Sequence, residues 1–384
     1  MKQSQTAGMA PIRLLSLDFF RGATVAAMIL VNNPGDWGHI YAPLEHSEWH
    51  GCTPTDLVFP FFLFIVGVSI AFAMGSKKEN PATHGKTIFK ALKRALILFG
   101  LGLFLTLFPE VFTKPVESLQ GMRIPGVLQR IALVFFISAV LFLKVSLKNL
   151  RMLFVLLLAV YWALMTFVPV PGTGPANLGK ETNLGAWLDR SIFTEAHLWS
   201  SSKTWDPEGL LGTIPAIATG LFGILVGAYL KRKDVPDAVK VSWLFSTGCA
   251  AVVLGLLWDL QFPINKALWT SSFVLYTGGL ATMVLAMSYW IIDVNKYNRF
   301  TKPFVVYGVN AITVYFLSGI LPQILSIIRI NTVNGETNVY SLLYSGYASN
   351  FSPVNASLLW AVSTVLFWLV ILWFMYNKKI IIKV

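Results

Sequence analysis

Three of the chain's five histidines, His39, His46 and His50, fall in one short connection between two apolar stretches. A histidine near neutral pH can take up a proton or act as a nucleophile. Asp56 follows His46 by ten residues, and a carboxylate there could orient the imidazole ring and stabilise its protonated form. We therefore take His46 and Asp56 as the candidate reaction centre, and interpret His39 and His50 as ordinary solvated loop residues.

A second group of chemically capable residues lies inside apolar stretches, where an ionisable side chain is costly to place in lipid and is a functional candidate by default. Asp18 and Arg21 are three residues apart, so they share one helix face and can pair. A plain ion pair at the membrane surface would account for them equally well. Asp56 and Glu208 could likewise be first-turn carboxylates favoured by a helix dipole. The full set is Asp18, Arg21, Asp56, Arg130, Glu208 and Asp259.

The elements that must position these residues are long apolar segments. The chain has 384 residues, of which 55% are hydrophobic and 12% are charged, and its mean hydropathy is +0.64. A soluble protein carries about 25% charged residues, whereas about 20 consecutive apolar residues suffice to cross a bilayer. We therefore predict an all-α polytopic membrane helix bundle that forms one domain over residues 1–384. About ten transmembrane helices are predicted, beginning near Leu17, Pro54, Ile88, Pro125, Met152, Gly209, Val239, Ser271, Pro303 and Ala356.

The basic residues are distributed unevenly between the connections. Of the 30 lysines and arginines, 22 fall in or next to alternate connections and at the two termini, where Lys2, Arg13 and Lys383 lie, while the His46 connection contains none. By the positive-inside rule, both termini are cytoplasmic and the His46 connection faces the far side of the membrane. The net charge of +12 is then mostly a topology signal, so we expect no nucleic-acid partner.

The cysteines and the first apolar segment also limit the classes to which this protein can belong. Cys52 and Cys249 lie in or beside different spans, so no disulfide framework is implied. The first apolar segment carries Asp18 and Arg21 and has no small-residue cleavage site, so we expect a span there rather than a cleaved signal peptide. We expect no metal.

Several stretches together resemble one known family. They run from residue 16 to about residue 316, and they are SLDFFRG, the region of Asn32, EHSEWHG followed by TPTDLVFPFFLFIVG, RIPGVLQR, WDPEGLLGTIPAI, PINKALWTSSFVL and YGVNAITVYF. None is decisive alone, but in this order they are specific. The chain is similar to the heparan-α-glucosaminide N-acetyltransferase family of membrane acyltransferases, and it looks like a bacterial member.

This resemblance implies transfer of an acetyl group from acetyl-CoA to an amine, typically on an amino sugar, across the membrane. The family's active histidine corresponds to His46, its asparagine at the end of the first span to Asn32, and its aspartate to Asp56. The arginine of PGVLQR corresponds to Arg130, and the glutamate of DPEG to Glu208. A multi-pass protein of the bacterial cytoplasmic (inner) membrane is implied, in contact with membrane lipids and with a small amino sugar or glycan acceptor. Whether two chains form a homodimer is left open.

The predicted layout suggests a path for the acyl donor. Arg21 lies at the cytoplasmic face and is suited to CoA phosphates, with Lys93 or Arg94 as helpers. Arg21 and Asn32 are eleven residues apart, roughly 16 Å along a helix, so a pantetheine arm could present the thioester near Asn32 and His46. Asn32 would then donate a hydrogen bond to the oxyanion. We assign Asp18, Arg21, Gln129, Arg130 and Glu208 to cofactor binding, and Trp269 and Asn310 to the acceptor pocket.

Several alternatives stay open at this point. His46 could act as a base for the attacking amine, or it could take the acetyl group first and pass it on. Arg130 and Glu208 could form a buried pair that braces the site instead of touching CoA, and Trp269 and Asn310 could be core residues. The reaction could be O-acylation of a surface glycan or a lipid-linked sugar. A secondary transporter is a different class, although no inverted repeat is visible.

Overall fold

The computed structural model describes residues 14–332 and 335–382, and in this part of the chain it is a helix bundle with one short antiparallel hairpin. The core is therefore made by helix packing. In chain order the elements are α1 (Leu15–Asn32), α2 (Val58–Lys78), α3 (His84–Leu107), α4 (Pro115–Gln120), α5 (Val127–Lys144), α6 (Leu147–Phe167), α7 (Leu184–Phe193), α8 (Thr213–Leu230), α9 (Asp237–Asp259), α10 (Ser271–Ser288), α11 (Lys302–Val309), α12 (Ala311–Ile327), β1 (Arg329–Thr332), β2 (Gly335–Asn338), α13 (Val339–Ala348) and α14 (Pro353–Asn377).

Eight helices within the described residues are long and apolar enough to cross a membrane, and α11 with α12 would make a ninth span. The predicted all-α polytopic bundle is confirmed. The predicted third span is α3, which has 24 residues but is not among the eight, and its first half carries four basic residues between Lys86 and Arg94. The predicted span near Pro303 is broken, because α11 and α12 meet at 80° beside Asn310.

Glycines allow the central helices to approach closely. A side chain on Gly67 of α2 would meet the backbone oxygen of Gly220 on α8 at 2.0 Å, and one on Gly223 of α8 would meet the backbone oxygen of Phe64 at 2.0 Å. Such small-residue contacts are typical of helices that pack in lipid, where no water drives apolar surfaces together. Leu221 of α8 is fully buried, and α8 lies at the centre of the bundle.

Helices at the periphery present apolar side chains outward. Val155 on α6, Leu257 on α9 and Phe374 on α14 are each more than half exposed. Exposed apolar surface on this scale is costly in water, whereas in lipid it is the expected outer surface of a helix bundle. These faces are therefore suited to contact membrane lipids.

The connections that we predict at the far side lie together at one end of the bundle. The backbone N–H of Gly51 donates to the backbone oxygen of Ile264 at 2.7 Å, and the indole of Trp49 donates to the backbone oxygen of Leu178 at 2.8 Å. Three of the connections assigned to the far side are therefore neighbours in the fold. Three charges used in that inference, Lys2, Arg13 and Lys383, lie outside the described residues. The direction of the bundle in the membrane stays a prediction.

Candidate functional site

The candidate site is built on a short turn that leads into α2. Asp56 lies in the turn Pro54–Leu57, where its Oδ2 accepts hydrogen bonds from the backbone N–H of Thr53 at 2.9 Å and of Ser47 at 3.1 Å. The Thr53 hydroxyl lies 3.2 Å from the same oxygen. The Asp56 side chain is only 1% exposed, and these local donors offset the cost of removing its charge from water. They leave Oδ1 for another partner.

That partner is His46. Its Nδ1 lies 2.6 Å from Oδ1 of Asp56, so the contact predicted from the sequence is formed. An ionised carboxylate can only accept, so Nδ1 carries the proton and the free lone pair of the imidazole is on Nε2. The His46 side chain is 50% exposed, in contrast to Asp56. The arrangement is a buried carboxylate that holds an accessible imidazole in the tautomer that a base requires.

Lys266 is a third member of this cluster, and the sequence did not single it out. Its Nζ lies 3.0 Å from Nε2 and 3.1 Å from Nδ1 of His46, and 3.9 Å from Oδ1 of Asp56. Burial lowers the pKa of the Lys266 ammonium, against the attraction of Glu208 and Asp56. The only available signal was its place in the PINKALWTSSFVL stretch, 220 residues from His46 in the chain.

A rigid turn between α9 and α10 holds Lys266. The buried Asn265 accepts a hydrogen bond from the backbone N–H of Leu268 at 2.8 Å, and its own N–H donates to the Thr270 hydroxyl at 3.0 Å. Its side-chain Nδ2 lies 3.4 Å from Nδ1 of His50. Hydrogen bonds thus hold the turn together and also join it to the His46 connection, so the fold fixes the position of Lys266 relative to His46.

Trp269 lies inside the bundle, next to this turn. It has a φ of +56°, which is uncommon for a residue with a side chain, and it is fully buried. Its indole N–H donates to the Thr219 hydroxyl on α8 at 3.0 Å, and the Arg130 guanidinium lies 5.3 Å from the ring centroid. These contacts anchor the Lys266 turn to the centre of the bundle. The predicted acceptor-lining role of Trp269 stays a prediction.

The described contacts of Arg130 and Glu208 do not include the direct pair that we considered as an alternative to CoA contact. Arg130 donates to the backbone oxygens of Pro207 at 2.9 Å and Gly209 at 2.8 Å. The Glu208 carboxylate binds Arg123 at 2.6 Å. Arg123 also binds both carboxylate oxygens of Asp206, at 2.7 and 2.8 Å. Arg130 therefore braces the turn before α8 through its backbone, and Arg123 neutralises the turn's carboxylates.

Two buried donors at this level of the bundle have no hydrogen-bond partner among the described residues. They are Nε of Arg130 and Nε2 of Gln129. Gln129 is buried against Gly102 of α3 and Gly126. Buried donors are almost always satisfied in folded proteins, so these two are suited to an acceptor atom supplied by a ligand or by water.

Asp18 and Arg21 form the predicted pair near the start of α1. The guanidinium lies 3.2 Å from the Asp18 carboxylate and donates to the Ser69 hydroxyl on α2 at 2.8 Å. The charge of Arg94 on α3 is close enough to interact with Arg21. This cationic group is separated from His46 by most of the length of α1, as predicted. Its affinity for phosphate stays a prediction.

Asn32 and Asn310 lie apart from the His46 contacts. Asn32 is exposed at the last residue of α1 and lines a cavity of about 1230 Å³, together with residues of α12, α13 and α14. Asn310 is buried at the break between α11 and α12, where it binds the backbone of Ile380 at 3.1 Å and of Ile382 at 3.0 Å. The described contacts thus make Asn310 a tether for the chain after α14. Its predicted place in the acceptor pocket is not supported by any of these contacts.

Comparison with known proteins decides the family. Residues 13–257 match the family model described as "Heparan-alpha-glucosaminide N-acetyltransferase, catalytic". The chain belongs to the heparan-alpha-glucosaminide N-acetyltransferase family. The Homo sapiens heparan-alpha-glucosaminide N-acetyltransferase is 31% identical over 353 residues, covering 79% of this chain and 52% of the human protein. The Mus musculus protein of the same name is 31% identical over 361 residues, covering 82% and 54%. The chain spans about half the length of the curated relatives it matches.

Membership of the heparan-alpha-glucosaminide N-acetyltransferase family fits the geometry of the site. The matched segment contains His46, Asp56, Arg130 and Glu208, and it ends before Lys266. The family resemblance read from the motifs is therefore confirmed. This member of a transmembrane N-acetyltransferase family thus has, at one end of its bundle, an imidazole, His46, that is oriented by the Asp56 carboxylate and can accept a proton.

Proposed function

We propose that this protein is a membrane-embedded acyltransferase that moves an acetyl group from cytoplasmic acetyl-CoA to the amine of an amino sugar at the far side of the bacterial cytoplasmic membrane. The observation that carries the proposal is the 2.6 Å contact between the half-exposed His46 and the buried Asp56, in a chain of this family. The contact provides a general base where an outside acceptor can reach it.

The proposed reaction needs one proton to be moved twice. An attacking amine gives its proton to Nε2 of His46, and Asp56 stabilises the imidazolium through Nδ1. The amine nitrogen then bonds to the thioester carbon, and the C–S bond breaks as the tetrahedral intermediate collapses. The imidazolium returns the proton to the CoA thiolate. A two-step route through an acetyl-imidazole uses the same nitrogen and remains an alternative.

The acyl donor would extend along α1. Its phosphates would be held at the cytoplasmic end by Arg21, since Arg21 is already oriented there by Asp18 and Ser69. The amide and thioester carbonyls would then pass the unpartnered donors of Gln129 and Arg130. Asn32 is proposed to bind the oxyanion, and one such donor is worth roughly 3 kcal/mol in the transition state.

The acceptor would enter from the large cavity beside Asn32. Its volume of about 1230 Å³ is ample for a sugar and for part of a longer glycan or lipid-linked chain. Trp360 stands in its wall with the rings of Tyr340, Tyr344 and Tyr347 packed around it, at centroid distances of 5.0, 5.9 and 5.7 Å. Such an aromatic wall offers apolar faces to a sugar ring, and the hydroxyls around it offer hydrogen bonds.

The test is transfer by purified protein in detergent, with acetyl-CoA and glucosamine as the only substrates. N-acetylglucosamine, identified by mass and by resistance to hydroxylamine, is the expected product. A hydroxylamine-labile product would favour the alternative O-acyltransferase. A secondary transporter would give no product, because it moves its substrate without changing it covalently. The absence of an acylated product with both amine and hydroxyl acceptors would overturn the proposal.

A further inference from the structure

The cation beside the imidazole is the feature of the site that the proposed reaction has not used. Lys266 Nζ is 3.0 Å from Nε2 of His46, closer than it is to the carboxylate of Asp56 at 3.9 Å. An ammonium that served only to balance Asp56 would be expected to bind a carboxylate oxygen directly. Instead it lies against the His46 ring, 3.0 Å from the Nε2 that must accept a proton or an acyl group and 3.1 Å from Nδ1.

The electrostatic surroundings of Lys266 are mixed. Asp56 and Glu208 attract its ammonium, Arg130 repels it, and Cys52 faces it from the histidine connection. Burial raises the pKa of the Cys52 thiol to about 12, so Cys52 stays neutral and is not a competing thiolate. The side chain of Lys266 is 19% exposed, so solvent screens its charge only partly.

We propose that Lys266 is a catalytic residue of the acetyl transfer described above, an inference that rests on the proposed function. Its ammonium lies 3.0 Å from Nε2 of His46, so its positive charge acts directly on the ring at which the proton moves. When the amine attacks, the thioester oxygen gains negative charge beside His46, and the ammonium becomes its electrostatic partner. The Lys266 protons stay in place throughout: the only proton transferred passes from the amine to Nε2 and then to the departing CoA thiolate.

The rigid turn around Lys266 supports this role. The backbone N–H of Asn265 donates to the Thr270 hydroxyl within the turn. The backbone N–H of Gly51, in the His46 connection, donates to the backbone oxygen of Ile264 at 2.7 Å and joins the two segments. Preorganised charge is effective in catalysis because it needs no rearrangement when charge develops. A mobile surface lysine at the same distance would have to lose conformational entropy first.

The first experiment needs no enzyme activity. Diethyl pyrocarbonate acylates free-base imidazole, and its rate of reaction with His46 can be followed by mass spectrometry of the peptide across pH 5–8 in detergent. Compared with the wild type, Lys266→Met should move the acid limb of this profile to higher pH by at least about one unit. Lys180→Met is the matched control, because Lys180 stacks on Trp49 at the same end of the bundle and should leave the profile unchanged. An unshifted profile in Lys266→Met would overturn the proposal.

The second experiment measures turnover of acetyl-CoA and glucosamine. Lys266→Met should lower kcat about 100-fold with little change in KM, and Lys266→Arg should recover part of the loss because it keeps the charge. Equal rates in Lys266→Met and Lys180→Met would contradict a catalytic role. If the wild type transfers nothing while the His46 profile still shifts, the proposed function fails and the electrostatic control of His46 by Lys266 stands.

Discussion

The two members of the His46–Asp56 pair differ in exposure, and the difference sets their roles. Asp56 is buried and receives the backbone N–H groups of Ser47 and Thr53, so its orientation is set by the fold. His46 is half exposed: Asp56 holds its Nδ1, and Lys266 Nζ lies 3.0 Å from its Nε2. The exposed partner is free to meet a substrate, while the buried partner maintains its tautomer.

Replacing Asp56 with asparagine tests this division of roles. Asp56→Asn keeps the shape but can donate to the ring, which would place the proton on the wrong nitrogen, so kcat should fall roughly 10²- to 10⁴-fold. The measurement is kcat for glucosamine acetylation by folded protein in detergent. His39→Asn, in the other histidine–aspartate pair of the connection, is the control and should keep a near-normal rate. Equal losses in both variants would contradict a special role for Asp56.

The guanidinium of Arg21 is expected to hold CoA phosphate. Arg21→Ala should weaken CoA binding roughly 10- to 150-fold, since a hydrogen bond to a charged group is typically worth about 1.5–3 kcal/mol. Isothermal calorimetry with CoA gives the dissociation constant directly. Arg151→Ala on the exposed start of α6 is the matched control. An unchanged dissociation constant in Arg21→Ala would remove Arg21 from the phosphate site.

At the scale of elements, the connection between α6 and α8 contains a buried carboxylate. Asp189 on α7 accepts the backbone N–H of Leu210 at 2.8 Å, and its nearest charges are Asp206, Arg130 and Arg190. Burial raises the pKa of Asp189 from 3.8 to about 7. The folded state therefore holds a proton that the unfolded chain releases near pH 4. From about pH 4 to about pH 7, this group makes the folded state less stable as pH rises.

Asp189→Asn should remove that dependence. Asparagine cannot ionise and keeps the oxygen that accepts from Leu210, so the slope, which is at most about 1.4 kcal/mol per pH unit, should disappear between pH 4 and 7. Thermal unfolding in detergent across this range measures it. Glu195→Gln, exposed in the same connection, should leave the slope as in the wild type. A slope retained in Asp189→Asn would show that Asp189 does not ionise in that range.

The sequence predicted most of the helices. Among the contacts, it predicted only those between residues that are close together in the chain. Hydropathy is a property of consecutive residues, so it revealed α1, α2 and α5 and placed His46 between apolar spans. Asp56 was found because it is only ten residues from His46. Lys266 lies 220 residues from His46. The two side chains meet only because of the way α9 and α10 pack in the bundle, and the spacing of residues in the sequence does not predict that packing.

The remaining errors have the same origin. The sequence suggested that Arg130 and Glu208 either pair or touch CoA, whereas in the fold Arg130 binds backbone oxygens and Arg123 binds the Glu208 carboxylate. Asn310 lies at an 80° helix break that hydropathy averages into one span. In both cases the side chain binds backbone groups: Arg130 binds carbonyl oxygens and Asn310 binds the chain after α14. Such contacts cannot be predicted from the types of the side chains alone.

At the scale of the whole molecule, the proposed transfer requires a donor end and an acceptor end on opposite sides of the membrane. Arg21 lies in the first half of α1 and the His46 connection follows its last residue, and the charge pattern predicts that the Arg21 end faces the cytoplasm. Single-cysteine variants test this orientation in a background with Cys52 and Cys249 changed to alanine. A membrane-impermeant maleimide added to intact cells should label Lys180→Cys and spare Lys148→Cys. The reverse labelling pattern would invert the proposed direction of transfer.

Glucosamine acetylation by His46→Ala, compared with wild type in the same detergent and at matched thermal stability, tests the reaction most directly. His46 lies in a half-exposed connection, so the variant should fold normally. We predict a loss of at least about 100-fold in kcat, since the base that takes the amine proton is gone. A folded His46→Ala protein that transfers acetyl groups at a near-normal rate would contradict the mechanism.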